Sequence, residues 1–173
     1  MTVVTEHFAS FDGTRLAFHT EGEGRPVLLL HGLFSSAQMN WIKWGHGTRL
    51  ATAGFRAIML DFRVHGQSEA PREASAYPPG VLVRDVAALI DDANDGTCAK
   101  FDAILLDVDN GPDGIVRDAN NRIYSRTGLA KARDALKPGG ILAVWSAGPD
   151  PAFRKRLYDT GLTVTEWNVR SRP

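Results

Sequence analysis

The chain of 173 residues carries 20 Lys plus Arg against 20 Asp plus Glu, so no net field draws it to nucleic acid or to an anionic membrane. Cys98 is its only cysteine, which excludes an internal disulfide, and no apolar run approaches the roughly 20 residues that a spanning helix needs. The opening MTVVTEHFASFDGT has neither the basic nor the apolar region of a secretory signal, so a single-domain cytoplasmic protein is the expectation.

Residues 6–11 and 15–20 alternate apolar and polar positions around Asp12-Gly13, the pair favoured in a two-residue hairpin turn, and predict two antiparallel strands. PVLLL at 26–30 is continuously apolar. That pattern predicts a parallel strand covered on both faces, over 26–31. Met39, Ile42, Leu50 and Ala53 fall at helical spacing within 36–53, with Ser35 or Ser36 as N-cap and Gly54 as stop; Trp41, Trp44 and Phe55 are expected to pack this helix. RAIML leads a strand over 56–61 that ends at Asp61. A Pro, Gly and Ser-rich loop then runs to Pro79, and an amphipathic helix spans 79–93. This alternation of strand and helix implies a parallel sheet with right-handed crossovers.

A compositional seam follows. Up to Ile90 the acids are five Glu and three Asp; from Asp91 they are eleven Asp and one Glu, Glu166. All five histidines lie in the first 65 residues. The polar stretch 91–99 reads as a connector. Beyond it, 102–107 is an apolar strand running into Asp107, Asp109, Asn110 and a Gly-Pro, which places carboxylates at the strand's C-terminal end, where ligands of open α/β sheets bind. A helix over 125–136 stopped by Gly139-Gly140, a strand over 141–146, a helix over 151–160 stopped by Gly161, and a last strand over 163–169 complete the chain. The expected fold is a doubly wound, mostly parallel α/β sheet of about seven strands in the order 1-2-4-3-5-6-7, with helices on both faces.

The motifs LLLHGLFSS, GFRAIMLDFRVHGQSEAP and VLVRDVAALI resemble the N-terminal half of the α/β-hydrolase family, over roughly residues 6–90. The resemblance implies that the loop His31, Gly32, Leu33, Phe34 offers a backbone N–H to an oxyanion, a donor worth roughly 3 to 4 kcal/mol in such sites. It also implies that the stretch from Asp61 to Ser68 is a largely structural signature. The family further requires a Gly-x-Ser-x-Gly elbow and a late histidine, and neither occurs in these residues. FDAILLDVDNGPDGIV, GLAKARDALKPGG and ILAVWSAGPDPAFRKRL resemble the C-terminal half of spermidine-synthase-like proteins of the methyltransferase-like superfamily, over roughly 100–168. This implies that Asp107 accepts a hydrogen bond from an attacking amine and that Asp109 helps to hold a cationic substrate. The glycine-rich nucleotide loop of that superfamily is replaced here by HGLFSS, so no cofactor is expected.

Function is therefore expected to be that of a hybrid without an intact active site of either parent, at most a weak binder of a small cation such as a polyamine. A residual ester or epoxide hydrolase, or an aminopropyltransferase-like protein, is the alternative. The candidate cleft gathers Asp61, Asp107, Asp109, Asn110 and Ser146 beside the loop 31–36, with Asp107 and Asp109 as the catalytic candidates and His31 facing Asp107; no metal site is read. A relocated nucleophile would have to be Ser35, Ser36, Ser68 or Ser146 beside His31 or His65. Simpler roles are also assigned: His31 holds its loop, His65 has no chemistry, Asp61 caps a loop or pairs with Arg63, and Arg154-Lys155-Arg156 form a solvated helix face. An exposed edge at 162–169 suggests a homodimer.

Overall fold

The computed structural model describes residues 2–93, 100–107, 122–146 and 148–168. Strands β1 (Val4–Ala9), β2 (Arg15–Glu21), β3 (Arg25–Leu30), β4 (Phe55–Leu60), β5 (Phe101–Leu106) and β6 (Leu136–Val144) form one mixed sheet in the order β1-β2-β4-β3-β5-β6. The hairpin β1–β2 is antiparallel, with Ala9 opposite Arg15. It closes through 10–14 rather than two residues, with the Ser10 N–H donating to the Thr14 carbonyl at 2.8 Å. β2 is antiparallel to β4, whereas β3–β4, β3–β5 and β5–β6 are parallel. The first six strands thus stand in the order read from the sequence.

The continuous apolar run of β3 has the burial that such a run demands. Val27 and Leu29 point to one face with Ala37, Ala57 and Met59, while Leu28 and Leu30 point to the other with Ile58, Leu60, Ile104 and Leu106. Each fully buried leucine contributes about 1.5 to 3 kcal/mol. The second face is the thicker one, because Leu89 of α2 (Val81–Ala93), Leu129 of α3 (Arg126–Asp134) and Phe153 of α4 (Pro151–Asp159) all close onto it. Local chemistry sets the helix starts. The Ser125 hydroxyl accepts from the Gly128 N–H, the Asp150 carboxylate accepts from the Phe153 N–H at 2.8 Å, and Pro151 occupies the first turn of α4.

Three expectations fail for identifiable reasons. The helix expected over 36–53 is broken into a π turn (Gln38–Ile42) and α1 (His46–Thr52), because Gly45 between them takes a left-handed φ of 70°. The inward positions of α1 are consequently Gly47 and Ala51; Met39 is half exposed and Trp44, at 61% exposure, packs no core but lies under the Lys43 ammonium. Strand β6 begins at Leu136 and not at 141. Lys137-Pro138-Gly139-Gly140 are absorbed as an irregular stretch opposite Asp102, where the register jumps from Phe101–Leu136 to Ala103–Ile141 and the Lys137 ammonium meets the Asp102 carboxylate at 2.6 Å. The seventh strand is absent from the described residues 162–168, which follow α4 irregularly. A free edge of the sheet belongs to β6, where Ile141 stands exposed, as does Trp145 just beyond the strand.

Candidate functional site

The C-terminal ends of β3, β4 and β5 deliver three segments to one rim of the sheet: the loop 31–36, the loop 61–68, and Asp107. The Asp107 N–H donates to the Leu30 carbonyl at 3.1 Å, which carries the β3–β5 ladder one residue further and fixes Asp107 beside Gly32. A Cβ built on Gly32 would stand 3.1 Å from the Asp107 carbonyl oxygen, so a glycine suits this close approach.

Most of the polar groups behind that rim are structural. His31 is fully buried, and its Nε2 accepts the Phe62 N–H at 3.1 Å. A backbone N–H only donates, so the proton of the neutral ring sits on Nδ1 and is given to the Gly32 carbonyl at 2.7 Å. Burial pushes the His31 pKa down to about 4, against a smaller upward pull from that carbonyl, and the ring is neutral at pH 7. His31 therefore holds its loop and does not face Asp107 as a charged partner. His65 lies between the carbonyls of Arg63 and Leu33 and stitches the two loops together.

Asp61 is 1% exposed, so it lines no cleft. Its carboxylate accepts the Ala37 N–H at 2.8 Å, the Gln67 N–H at 2.9 Å and His19 Nε2 at 3.0 Å. Burial alone would raise its pKa, and these hydrogen bonds outweigh that and hold it below the usual carboxylate range. Gly66, at φ 52°, makes room: a Cβ there would lie 2.0 Å from Asp61 Oδ2. Loop capping is thus the role of Asp61, and the pairing with Arg63 is not formed. Arg63, 2% exposed, turns to Asp85 of α2 through Nε at 2.7 Å and Nη2 at 2.5 Å, and to Asp12 at 3.1 Å. Burial lifts the Asp12 carboxyl, but bonds from Arg63 and Thr14 outweigh this and leave it at about 2.

Asp107 is the exception. It is half-buried, and burial raises its pKa against one opposing hydrogen bond, from Asn40 Nδ2 to Oδ2 at 2.6 Å. Among the described residues no cation pairs with it. Asn40, which sequence reading did not single out, sits on the π turn, and its Oδ1 accepts from the Ser35 hydroxyl. The N–H groups of Leu33 and Phe34 donate to no described acceptor, and Phe34 is 94% exposed. Asp109 and Asn110 lie outside the described residues. Ser146 is exposed and donates to the Gly148 carbonyl. None of the four serines considered as relocated nucleophiles meets a histidine: Ser68 donates to the Asp61 carbonyl and Ser36 accepts from the Met39 N–H. An apolar cavity of about 40 Å³ lies elsewhere, under α2 and α3. No cluster of three or more potential metal ligands occurs among the described residues, and no described helix is long and apolar enough to cross a membrane.

Residues 25–97 match the family model for the alpha/beta hydrolase fold. An epoxide hydrolase of Vigna radiata superposes with a TM-score of 0.58 at 23% identity, covering 82% of this chain and 39% of its own; a mutant of that plant's epoxide hydrolase gives 0.57 at 25%, covering 86% and 41%. The fold is α/β-hydrolase-like. The superposition of this α/β-hydrolase-like sheet reaches well beyond the N-terminal half. Sequence similarity is concentrated in that half: an epoxide hydrolase of Caballeronia sordidicola is 35% identical over 88 residues, 51% of this chain and 26% of the relative. The bifunctional epoxide hydrolase 2 of Sus scrofa is 37% identical over 79 residues, 45% of this chain and 14% of the relative. The chain thus spans about a quarter or less of these two relatives.

Proposed function

We propose that this chain presents the carboxylate and oxyanion side of a hydrolase site of ester or epoxide type, with Asp107 as the reacting carboxylate. The observation that carries the reading is the position of Asp107: half-buried at the end of the interior strand β5, unpaired with any described cation, and beside a loop with unused N–H groups. A carboxylate shielded from water and not neutralised by a cation keeps its nucleophilicity. Attack of one of its oxygens on an epoxide carbon forms an ester C–O bond and breaks a ring C–O bond; the alkoxide left behind takes a proton from solvent. N–H donors such as those of Leu33 and Phe34 suit the charge that develops on that oxygen. The similarity of residues 25–97 to the hydrolase family and the names of the relatives support this class.

Release of the ester needs an activated water. His31 and His65 are committed to backbone groups, and no histidine follows His65 within these 173 residues. The residues in hand therefore support the first step and not turnover. With excess styrene oxide, intact-mass and peptide analysis should find a single adduct on Asp107, reduced at least about tenfold in Asp107→Asn, a loss of roughly 1.4 kcal/mol or more in transition-state stabilisation. Absence of an adduct, or labelling indifferent to that substitution, overturns the reading.

The same unpaired carboxylate suits a second ligand class. The reading of 100–168 as spermidine-synthase-like rests on sequence resemblance, and it assigns Asp107 to a small diamine held with roughly millimolar affinity, about 4 kcal/mol. Putrescine added to the labelling reaction separates the two: protection of Asp107 at millimolar putrescine supports a cation site, and an unchanged labelling rate rejects it.

A further inference from the structure

The Asp107 carboxylate is not free to rotate, and the reason lies in the π turn Gln38–Ile42. The turn closes by the Lys43 N–H donating to the Gln38 carbonyl at 2.9 Å, five residues back, and such wide turns re-aim side chains at functional sites. Here it brings Asn40 to the end of β5. The chain of bonds from Ser35 through Asn40 to Asp107 has only one polarity. An ionised carboxylate only accepts, so the amide nitrogen must face Asp107; the amide oxygen then faces Ser35, whose hydroxyl must donate. Oδ2 of Asp107 is thereby anchored, and Oδ1 accepts no described hydrogen bond.

We propose that Asn40 is a positioning residue, which anchors Oδ2 of Asp107 and leaves Oδ1 as the oxygen that reacts, with Ser35 fixing the direction of the amide. The inference rests on the hydrolase reading for its chemistry and on the hydrogen-bond chain for its geometry. A donor to a carboxylate favours the ionised form, so removing it raises the carboxyl's titration midpoint and cuts the fraction of competent nucleophile.

The test is a carboxyl ¹³C NMR titration of Asp107 in wild type, Asn40→Ala, Asn40→Asp and Ser35→Ala, run beside the pH profile of styrene oxide labelling. Asn40→Ala should raise the Asp107 midpoint by roughly one pH unit and move the labelling profile with it. Asn40→Asp, of nearly the same size, removes the donor and adds a like charge, so its shift should be larger. Ser35→Ala should give a smaller shift in the same direction. If wild type is not labelled but both Asn40 variants shift the Asp107 titration, the hydrolase reading falls while the anchoring of Oδ2 stands. If Asn40→Asp, folded by its amide spectrum, leaves the Asp107 midpoint unmoved, the inference is overturned.

Discussion

At the scale of residues, the polar groups of the rim divide by what their hydrogen bonds leave over. His31 has both ring nitrogens engaged inside the protein, and its neutral form is built into the fold. Its folded pKa of about 4 lies below the usual 6.5, so the unfolded chain binds the proton more tightly between these values. Stability is therefore complete above pH 6.5 and declines as the pH falls toward 4, by about 3 kcal/mol for this one group. Urea unfolding at pH 7 and pH 4.5 should show that decline, and His31→Gln, which can accept from Phe62 and donate to Gly32, should remove most of it. An equal pH dependence in wild type and variant would contradict the assignment. Sequence reading foresaw His31 as a loop holder, since a histidine without a nucleophile beside it has no other evident task. It could not foresee Asn40, because nothing in a polar residue within an apparently regular helix shows that the helix widens there. Asp61 was legible as a cap and not by partner: its carboxylate is satisfied by His19 and by backbone N–H groups brought from two loops.

At the scale of elements, the buried ion pair of Arg63 and Asp85 joins the loop after β4 to α2 and, through Ser10 and Asp12, to the first hairpin. Both charges are within 2% of full burial, so the loss of one partner leaves the other desolvated and unpaired. Asp85→Ala should cost about 3 to 5 kcal/mol in urea unfolding, and Arg63→Met with Asp85→Leu should cost less than Asp85→Ala alone. A double variant at least as destabilised as Asp85→Ala would contradict this account. The signal in the sequence was an aspartate on the inward side of a helix whose neighbours Leu82, Val86 and Leu89 are apolar, a position that demands a buried cation. The strands were the most legible elements, because PVLLL, RAIML and AILL need only burial to be placed. The first helix was less so: Gly45 breaks it, and helical spacing on either side of a glycine does not show whether the two halves share an axis. The expected last strand had alternating residues, but its described part, 162–168, forms no ladder with the β6 edge.

At the scale of the molecule, the residues before and after the compositional seam meet at the pairing of β3 with β5, and the function proposed for Asp107 depends on that pairing. Leu28 stands opposite Ile104 and Leu30 opposite Leu106, with β6 closing the far side. The compositional seam at 91–99 therefore does not interrupt the sheet, and we propose that 1–173 folds as one domain. The order of the six strands was legible because alternating strands and helices prescribe parallel neighbours joined by right-handed crossovers. Native-state hydrogen exchange tests the placement of Asp107 most directly. The amides of Leu105, Leu106 and Asp107 should exchange with the same free energy as those of Leu28, Leu29 and Leu30, as one cooperative unit. Rapid exchange of the β5 amides beside a protected β3 would show that β5 is not seated in the sheet, and Asp107 would then have no place at its rim.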